Sequence, residues 1–172
     1  LLVDQYSLDD TRKKGTLHAI YTHDTNGNLV YYTSVVLKGK GLVKEGTRYF
    51  ISDIILYRYA DILLMIAEAK NALNQDPSEE INLVRKRAYK NNYDQHSFIN
   101  GSKEANDDAI LKERLLELSF EGKRWWDLIR FNKAFDLVPS LQNQKGKDYL
   151  KLFPISNSVL SLEPKVKQNP GY

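Results

Sequence analysis

From Ile54 to Leu73 the chain runs without a proline or glycine and is built largely of alanine, leucine, isoleucine and other helix-tolerant residues, so a helix is the conformation this stretch favours. Ser52 or Asp53 supplies a capping side chain, and the predicted helix continues to about Asn74. On a 100° wheel Arg58, Asp61, Met65 and Glu68 share one stripe. Leu56, Ala60, Leu63 and Ala67, with Ile55, Ile62, Ile66, Ala69 and Leu73, fill the remainder, so most of the circumference is expected to be buried. Ala60, Ala67, Ala69 and Ala72 are small enough for neighbouring helices to approach closely, as in stacked helical hairpins.

The neighbours follow at once. Asp76, Pro77 and Ser78 open a second helix to about Tyr89, with Pro77 near its first turn and Glu79 and Glu80 at its positive end. Ile81, Val84 and Ala88 recur along it at helical spacing, and the short link from Asn74 folds it back on the first. Lys90 to Lys103 reads as an exposed polar loop. A third helix is expected from Glu104–Asp107 to Phe120, burying Ile110, Leu111, Leu115 and Leu118, with Gly122 as its stop. A fourth runs from Lys123 to about Phe135 with Trp125, Trp126, Leu128, Ile129 and Phe131. Pro139, Pro154, Pro164 and Pro170 then break the tail into short pieces. Before all of these, Thr16–His23 and Leu29–Leu37 are two β-prone runs joined across Asn26-Gly27, a strong hairpin signal. Lys38–Gly46 has a loop composition, with an element boundary near Gly46. The expected fold is mainly α, divided into a hairpin and loop over 1–50, a helical core over 51–135 and an irregular strap over 136–172.

Composition narrows the function. Twenty-five basic and 22 acidic residues leave a net charge of +3, and the signs are interleaved, so nucleic acid is not indicated as a partner. Without cysteine, thiol catalysis, disulfides and thiolate metal sites are excluded. No apolar run reaches the ~18 residues of a membrane span. His18 and His23 fall on opposite faces of a regular strand, and His96 lies in a distant loop, so no metal set is assembled. Neither a Gly-x-Gly-x-x-Gly nor a Walker frame surrounds Gly39, Gly41 and Gly46. No Gly-x-Ser-x-Gly occurs. No cofactor is expected.

Two constellations remain. Glu117 and Glu121, one turn apart, could approach the ~5 to 5.5 Å separation of a retaining glycosidase pair. Lys112, Arg114, Lys123, Arg124 and Arg130 lie in the same stretch, however, and cations hold both carboxylates ionised instead of raising one pKa. The reading adopted is an ion-pair network of Arg58, Glu68, Arg114, Glu117, Glu121, Arg124, Asp127 and Arg130, with no catalytic residue and no enzyme activity. Trp125 and Trp126 point ~100° apart on a helix and are expected in the core instead of as a sugar platform. Tyr31, Tyr32 and Tyr49 are the candidates for ligand stacking; Tyr31 and Tyr32 point to opposite faces of their strand, one expected to be core and the other exposed.

Several segments together resemble the C-terminal region of the SusD/RagB family: Tyr-Arg-Tyr-Ala-Asp-Ile-Leu-Leu-Met-Ile-Ala-Glu-Ala at 57 to 69, Ile-Asn-Leu-Val-Arg-Lys-Arg-Ala at 81 to 88, Ile-Leu-Lys-Glu-Arg at 110 to 114, Glu-Leu-Ser-Phe-Glu-Gly-Lys-Arg-Trp-Trp-Asp-Leu-Ile-Arg at 117 to 130, and Gln-Asn-Pro-Gly-Tyr at 168 to 172. The hairpin region carries little of this signal. Ser156 stands where the family usually has proline, and Glu163-Pro164 where Asn-Pro is common. The resemblance implies tetratricopeptide-type helical hairpins in a non-catalytic, nutrient-binding lipoprotein on the outer face of the outer membrane. Such a protein captures an oligosaccharide or other nutrient beside a SusC-like TonB-dependent transporter. It implies too that 1–172 is a single C-terminal fragment, opening on Leu1 and lacking the lipidated cysteine through which the longer protein is anchored. In the family the ligand-contacting aromatics come mainly from variable parts, so the charged residues look like scaffold. The alternative is a helical-repeat module binding a peptide or protein in a groove lined by the 53 to 89 hairpin.

Overall fold

The first element met along the chain that crosses from sequence to core is a tyrosine. In the computed structural model, which describes residues 2–51 and 53–172, a 3-10 turn over Leu2–Gln5 delivers Tyr6 into the interior, 4% exposed. Its hydroxyl donates to the Leu116 carbonyl oxygen (2.9 Å) and reaches the Ser119 hydroxyl (3.3 Å). A short helix α1 (Thr11–Thr16) follows, capped by Asp10, and the Thr11 hydroxyl donates to the Ala88 carbonyl at 2.8 Å. Long-range hydrogen bonds thus seat the first residues on helices that lie far ahead in sequence.

Strands β1 (Leu17–His23) and β2 (Leu29–Val36) form an antiparallel hairpin with one register irregularity at Ile20/Tyr21. Its turn is set by Asp24, whose carboxylate accepts from the Asn26 and Asn28 backbone N–H groups, each at 2.8 Å. Gly27 takes φ +81° there, a left-handed conformation that costs glycine little. The expected loop over Lys38–Gly46 instead holds half of a second, smaller hairpin, β3 (Leu42–Lys44) with β4 (Thr47–Tyr49). Three-residue strands carry too little periodicity to announce themselves. Gly41 is required beside them, because a Cβ at that position would stand 2.0 Å from the Tyr49 carbonyl oxygen.

The main helix is shorter than its sequence suggests. Helix α2 spans Tyr59–Ala72 with Arg58 at its N-cap, and residues 53–57 are irregular and exposed. Of the two expected caps, Asp53 therefore caps nothing helical and Ser52 lies outside the described residues. Helix propensity alone does not nucleate a helix in water without packing to support it, and Ile54 at 89% and Leu56 at 70% exposure have none. The far end closes in a Schellman arrangement. Asn74 adopts φ +56°, its N–H bonds the Asn71 carbonyl, and the Gln75 N–H bonds the Lys70 carbonyl at 2.8 Å.

Helix α3 (Ser78–Tyr89) starts as expected, the Asp76 carboxylate accepting from the Ser78 N–H at 2.8 Å. A 3-10 segment (Lys90–His96) occupies much of what reads as loop. Helix α4 (Lys103–Leu118) starts a little earlier than expected because the Ser102 hydroxyl caps it by accepting from the Ala105 N–H. Leu116 is buried beside Ile110, Leu111 and Leu118, whereas Leu115 is half-buried. Helix α2 packs on both α3 and α4, and Ala60, Leu63, Leu64 and Val84 form the centre of the core. A buried amide bridge joins α2 to α4: Asn106 donates to Asn71 at 2.9 Å, and Asn71 donates to the Lys103 carbonyl and Asp107 carboxylate.

Burial of most of the α2 circumference is not what the structure has. Asp61, assigned to the polar stripe, is 1% exposed, while Tyr59 (73%), Ile62, Ile66 and Leu73 (69%) face outward. A wheel locates apolar stripes but not the partners that cover them; α3 and α4 cover one side.

Residues 1–124 and 125–172 form two compact units. The predicted fourth helix is two: α5 (Arg124–Arg130) and α6 (Ala134–Leu137). Asn132 at φ +54° repeats the Schellman ending, with the Lys133 N–H on the Leu128 carbonyl at 2.8 Å. The tail is a series of short turns, Pro139–Gln144 and Asp148–Lys151, and a single helix α7 (Asn157–Leu162) capped by Ser156. Tyr172 closes it, donating to the Leu152 carbonyl and meeting Tyr149 edge-on at 5.1 Å. The chain is mainly helical with small antiparallel hairpins.

Candidate functional site

Helix α4 presents Glu113 and Glu117 one turn apart, and Glu121 follows just beyond its end. Spacing of four residues puts such side chains on one face, and this face meets cations from four separate parts of the chain. Arg12, beside the Asp10 cap, reaches Glu113 at 2.6 Å and Glu117 at 3.2 Å. Arg85 of α3 takes the other Glu113 oxygen at 2.8 Å. Arg58, at the N-cap of α2, donates to Glu117 at 2.5 Å and to Glu121 at 2.7 Å, and Arg87 also pairs with Glu117. Lys38, just past β2, donates to Glu121 at 2.6 Å and to the Glu117 carbonyl at 2.7 Å.

The electrostatics follow from these contacts. Burial pushes Glu117 upward, but Arg58, Arg87 and Arg12 outweigh it and hold the carboxyl below the ordinary glutamate range. Burial likewise opposes the ionisation of Glu121, but Arg58 and Lys38 favour it more strongly, and this carboxyl too ends below that range. Lys38 shows the reverse balance: burial exceeds the pull of Glu121 and lowers its pKa. A retaining pair needs one carboxyl kept protonated near neutrality. Neither of these is, so the arrangement supplies no general acid.

Above these groups lies a cleft of about 940 Å³, also lined by Phe50, Ile54, Ile55 and Phe120. Glu117 and Glu121 are among its lining residues, and each is paired with arginine or lysine.

The remaining members of the predicted network are distributed. Arg114, 3% exposed, pairs with the buried Asp61 at 3.0 Å, and Lys123 approaches the other Asp61 oxygen at 3.1 Å. Arg124 donates to the Leu111 carbonyl at 3.0 Å. Arg130 pairs with Asp127 at 3.0 Å within α5, and Glu68 is half-buried on α2. Arg12, Lys38, Asp61, Arg85, Arg87 and Glu113 were missing from that network. The repeat of carboxylates at 113, 117 and 121 was the readable signal for Glu113. No local pattern marks Arg12 or Lys38, which arrive through tertiary folding.

The three tyrosines are not brought to one platform. Tyr31 and Tyr32 lie on β2 and Tyr49 on β4, in separate two-stranded sheets. Tyr31 meets Tyr21 edge-on at 6.1 Å and shares a 2.9 Å hydrogen bond with Ser34. Tyr32 is 70% exposed; at 38%, Tyr31 is not the core residue expected of one member of the pair, because both hairpin faces are largely open. The tryptophans also differ from expectation. Trp126 is 57% exposed, and Trp125 and Trp126 both approach Phe153, at 6.3 and 6.4 Å. Among the described residues, no group of histidine, aspartate and glutamate is arranged to hold a metal ion, and no helix is long and apolar enough to cross a membrane.

Residues 5–151 match the model of the SusD family. The chain belongs to the SusD family. SusD-like protein P38 of Formosa agariphila is 34% identical over 99% of this chain, and SusD-like protein P2 of the same organism is 32% identical over 83%. Among solved structures, a SusD superfamily protein from Bacteroides vulgatus superimposes with a TM-score of 0.80 at 36% identity, covering 99% of this chain and 39% of that one. B. fragilis NanU gives 0.79 at 34%, covering 100% and 38%. The chain spans 36% of the length of P38 and 29% of P2. For a SusD-family chain, the Glu113–Glu117–Glu121 face is thus a meeting point of the helical frame and the segments that precede it.

Proposed function

We propose that this chain is part of a non-catalytic, nutrient-binding lipoprotein of the outer membrane that captures an oligosaccharide or related nutrient for a SusC-like TonB-dependent transporter. The observation that carries the reading is the family match over residues 5–151, together with likeness to SusD superfamily structures along the whole chain. The depressed pKa values of Glu117 and Glu121 agree with binding without bond cleavage. On this reading residues 1–172 are a C-terminal segment of one longer SusD-like domain whose lipid anchor lies elsewhere in the protein. The ionic residues Arg58, Glu68, Arg114, Glu117, Glu121, Arg124, Asp127 and Arg130 hold the scaffold, while Tyr31, Tyr32 and Tyr49 offer rings for stacking. The test is affinity purification of the full-length protein followed by calorimetry against an oligosaccharide panel. Co-purification of a SusC-like transporter with saturable sugar binding is expected; absence of both overturns the reading.

The outward apolar stripe Tyr59, Ile62, Ile66 and Leu73 on α2 favours one alternative, a helical module that binds a peptide. Peptide capture that no sugar competes with would select it.

A further inference from the structure

The cleft above the Glu117 cluster is not a saturated ionic surface. Arg87 is the exception among its cations. Its side chain is 61% exposed, against 8% for Arg12 and 24% for Arg58, and among the described residues its ion pair is with Glu117, through one terminal nitrogen. Glu117 is shared with Arg58 and Arg12, so Arg87 is one of three arginines on this carboxylate and the most exposed of them. The rest of its guanidinium fork carries N–H donors of the geometry that grips a carboxylate through two parallel bonds. With Arg87 counted, the cleft is lined by four cationic side chains and three carboxylates, and two of those carboxylates, Glu117 and Glu121, are already engaged. Phe120, 54% exposed, with Phe50, Ile54 and Ile55, gives the same space apolar walls. At about 940 Å³ the space falls within the roughly 300 to 1,000 Å³ typical of small-molecule sites that combine apolar lining with a few convergent polar groups.

We propose that this cleft binds an organic carboxylate with an apolar body, the carboxylate held by Arg87 and the body lying against Phe120 and Ile54. An anion here also offsets the burial that disfavours charge on Lys38. Asp53 is the third lining carboxylate and opposes the same ligand. Nothing in this site depends on whether the longer protein captures a glycan, so oligosaccharide binding and carboxylate binding stand or fall separately.

The test uses full-length protein and 4-bromobenzoate as probe, followed by calorimetry and by locating bromine through its anomalous scattering in soaked crystals. Saturable binding is expected, with bromine in the cleft. The neutral isostere 4-bromobenzyl alcohol and inorganic phosphate should each bind at least about tenfold more weakly, since one lacks the charge and the other the apolar body. Arg87→Ala should weaken 4-bromobenzoate about tenfold or more and Arg87→Lys by less, because an ammonium keeps the charge without the fork. Asp53→Asn should tighten it. If Arg87→Ala does not fold, Arg87→Lys and Asp53→Asn still give opposite signs. No saturable binding, as when other parts of the longer protein cover the cleft, overturns the proposal. Equal affinity for the alcohol, or indifference to Arg87 substitution in folded protein, does so as well.

Discussion

The face of α4 that carries Glu113 and Glu117 and the β1–β2 hairpin are held in opposite ways. Glu113 and Glu117 each bond cations from remote parts of the sequence, so the cluster exists only when α1, α2, α3 and α4 are all in place. The hairpin is closed by Asp24 and Gly27 and by its own cross-strand pairs, Tyr21 with Tyr31 among them. One region is specified globally and the other locally. Changes in the first should propagate through the frame; changes in the second should stay where they are made.

Glu117→Ala tests that contrast most severely. It leaves Arg12, Arg58 and Arg87 without their shared partner, two of them largely buried, and breaking such a pair typically costs about 3 to 5 kcal/mol. A denaturant midpoint that hardly moves would show the cluster to be incidental. Leu64→Ala, at a fully buried position in the same frame, is expected to cost about 2 to 5 kcal/mol through lost transfer energy and a residual cavity, read from the same transitions.

Acid should separate the regions next. Glu117 and Glu121 are held below the ordinary value of 4.5 in the folded chain. Their contribution is therefore present above about pH 4.5 and lost as pH falls through the lower folded values. Thermal melts below pH 4.5 should fall steeply, and Glu117→Gln should flatten that dependence. A slope unaltered by the substitution would remove the carboxylate from the explanation.

The hairpin predictions are smaller. Gly27→Ala forces a Cβ onto a residue at φ +81° and should cost about 1 to 2 kcal/mol, detectable as faster amide exchange in β1 and β2. Tyr32→Ala, at a 70% exposed ring, should change stability by less than about 0.5 kcal/mol. If Tyr32 stacks on ligand, the same variant should lower affinity by about 0.5 to 1.5 kcal/mol in calorimetry. A large loss of stability instead would mean that the hairpin is not locally held.

Where elements carry their own punctuation, the sequence reading and the structure agree closely. Asn26-Gly27 gave the hairpin, and Asp76, Pro77 and Ser78 gave the start of α3. It went astray where the deciding contact lay elsewhere. Residues 53–57 have helical composition, but no described neighbour buries their apolar side chains, so α2 begins only at Tyr59. Asn132 ends α5 through a left-handed turn that an apolar run of tryptophan, leucine and isoleucine conceals. For the candidate site, the carboxylates and Arg58 were visible as a charged pattern, but Lys38 and Arg12 were not, because no local spacing relates them to α4.

By itself the sequence determined the helix-dominated class, the N-terminal hairpin, the apolar positions at the centre of α2 to α4, and a resemblance to the SusD family. The first three are short-range matters of backbone preference, capping and periodicity, repeated strongly enough to be read one segment at a time; the resemblance rests on the five motif segments and their order. Tertiary structure alone decided which side of α2 is covered, that Asp61 goes inside with Arg114, and that Arg12, Arg58 and Arg87 converge on Glu117. Partners of a buried charge are chosen in three dimensions, where desolvation makes each unmatched group costly, and no linear spacing records that choice.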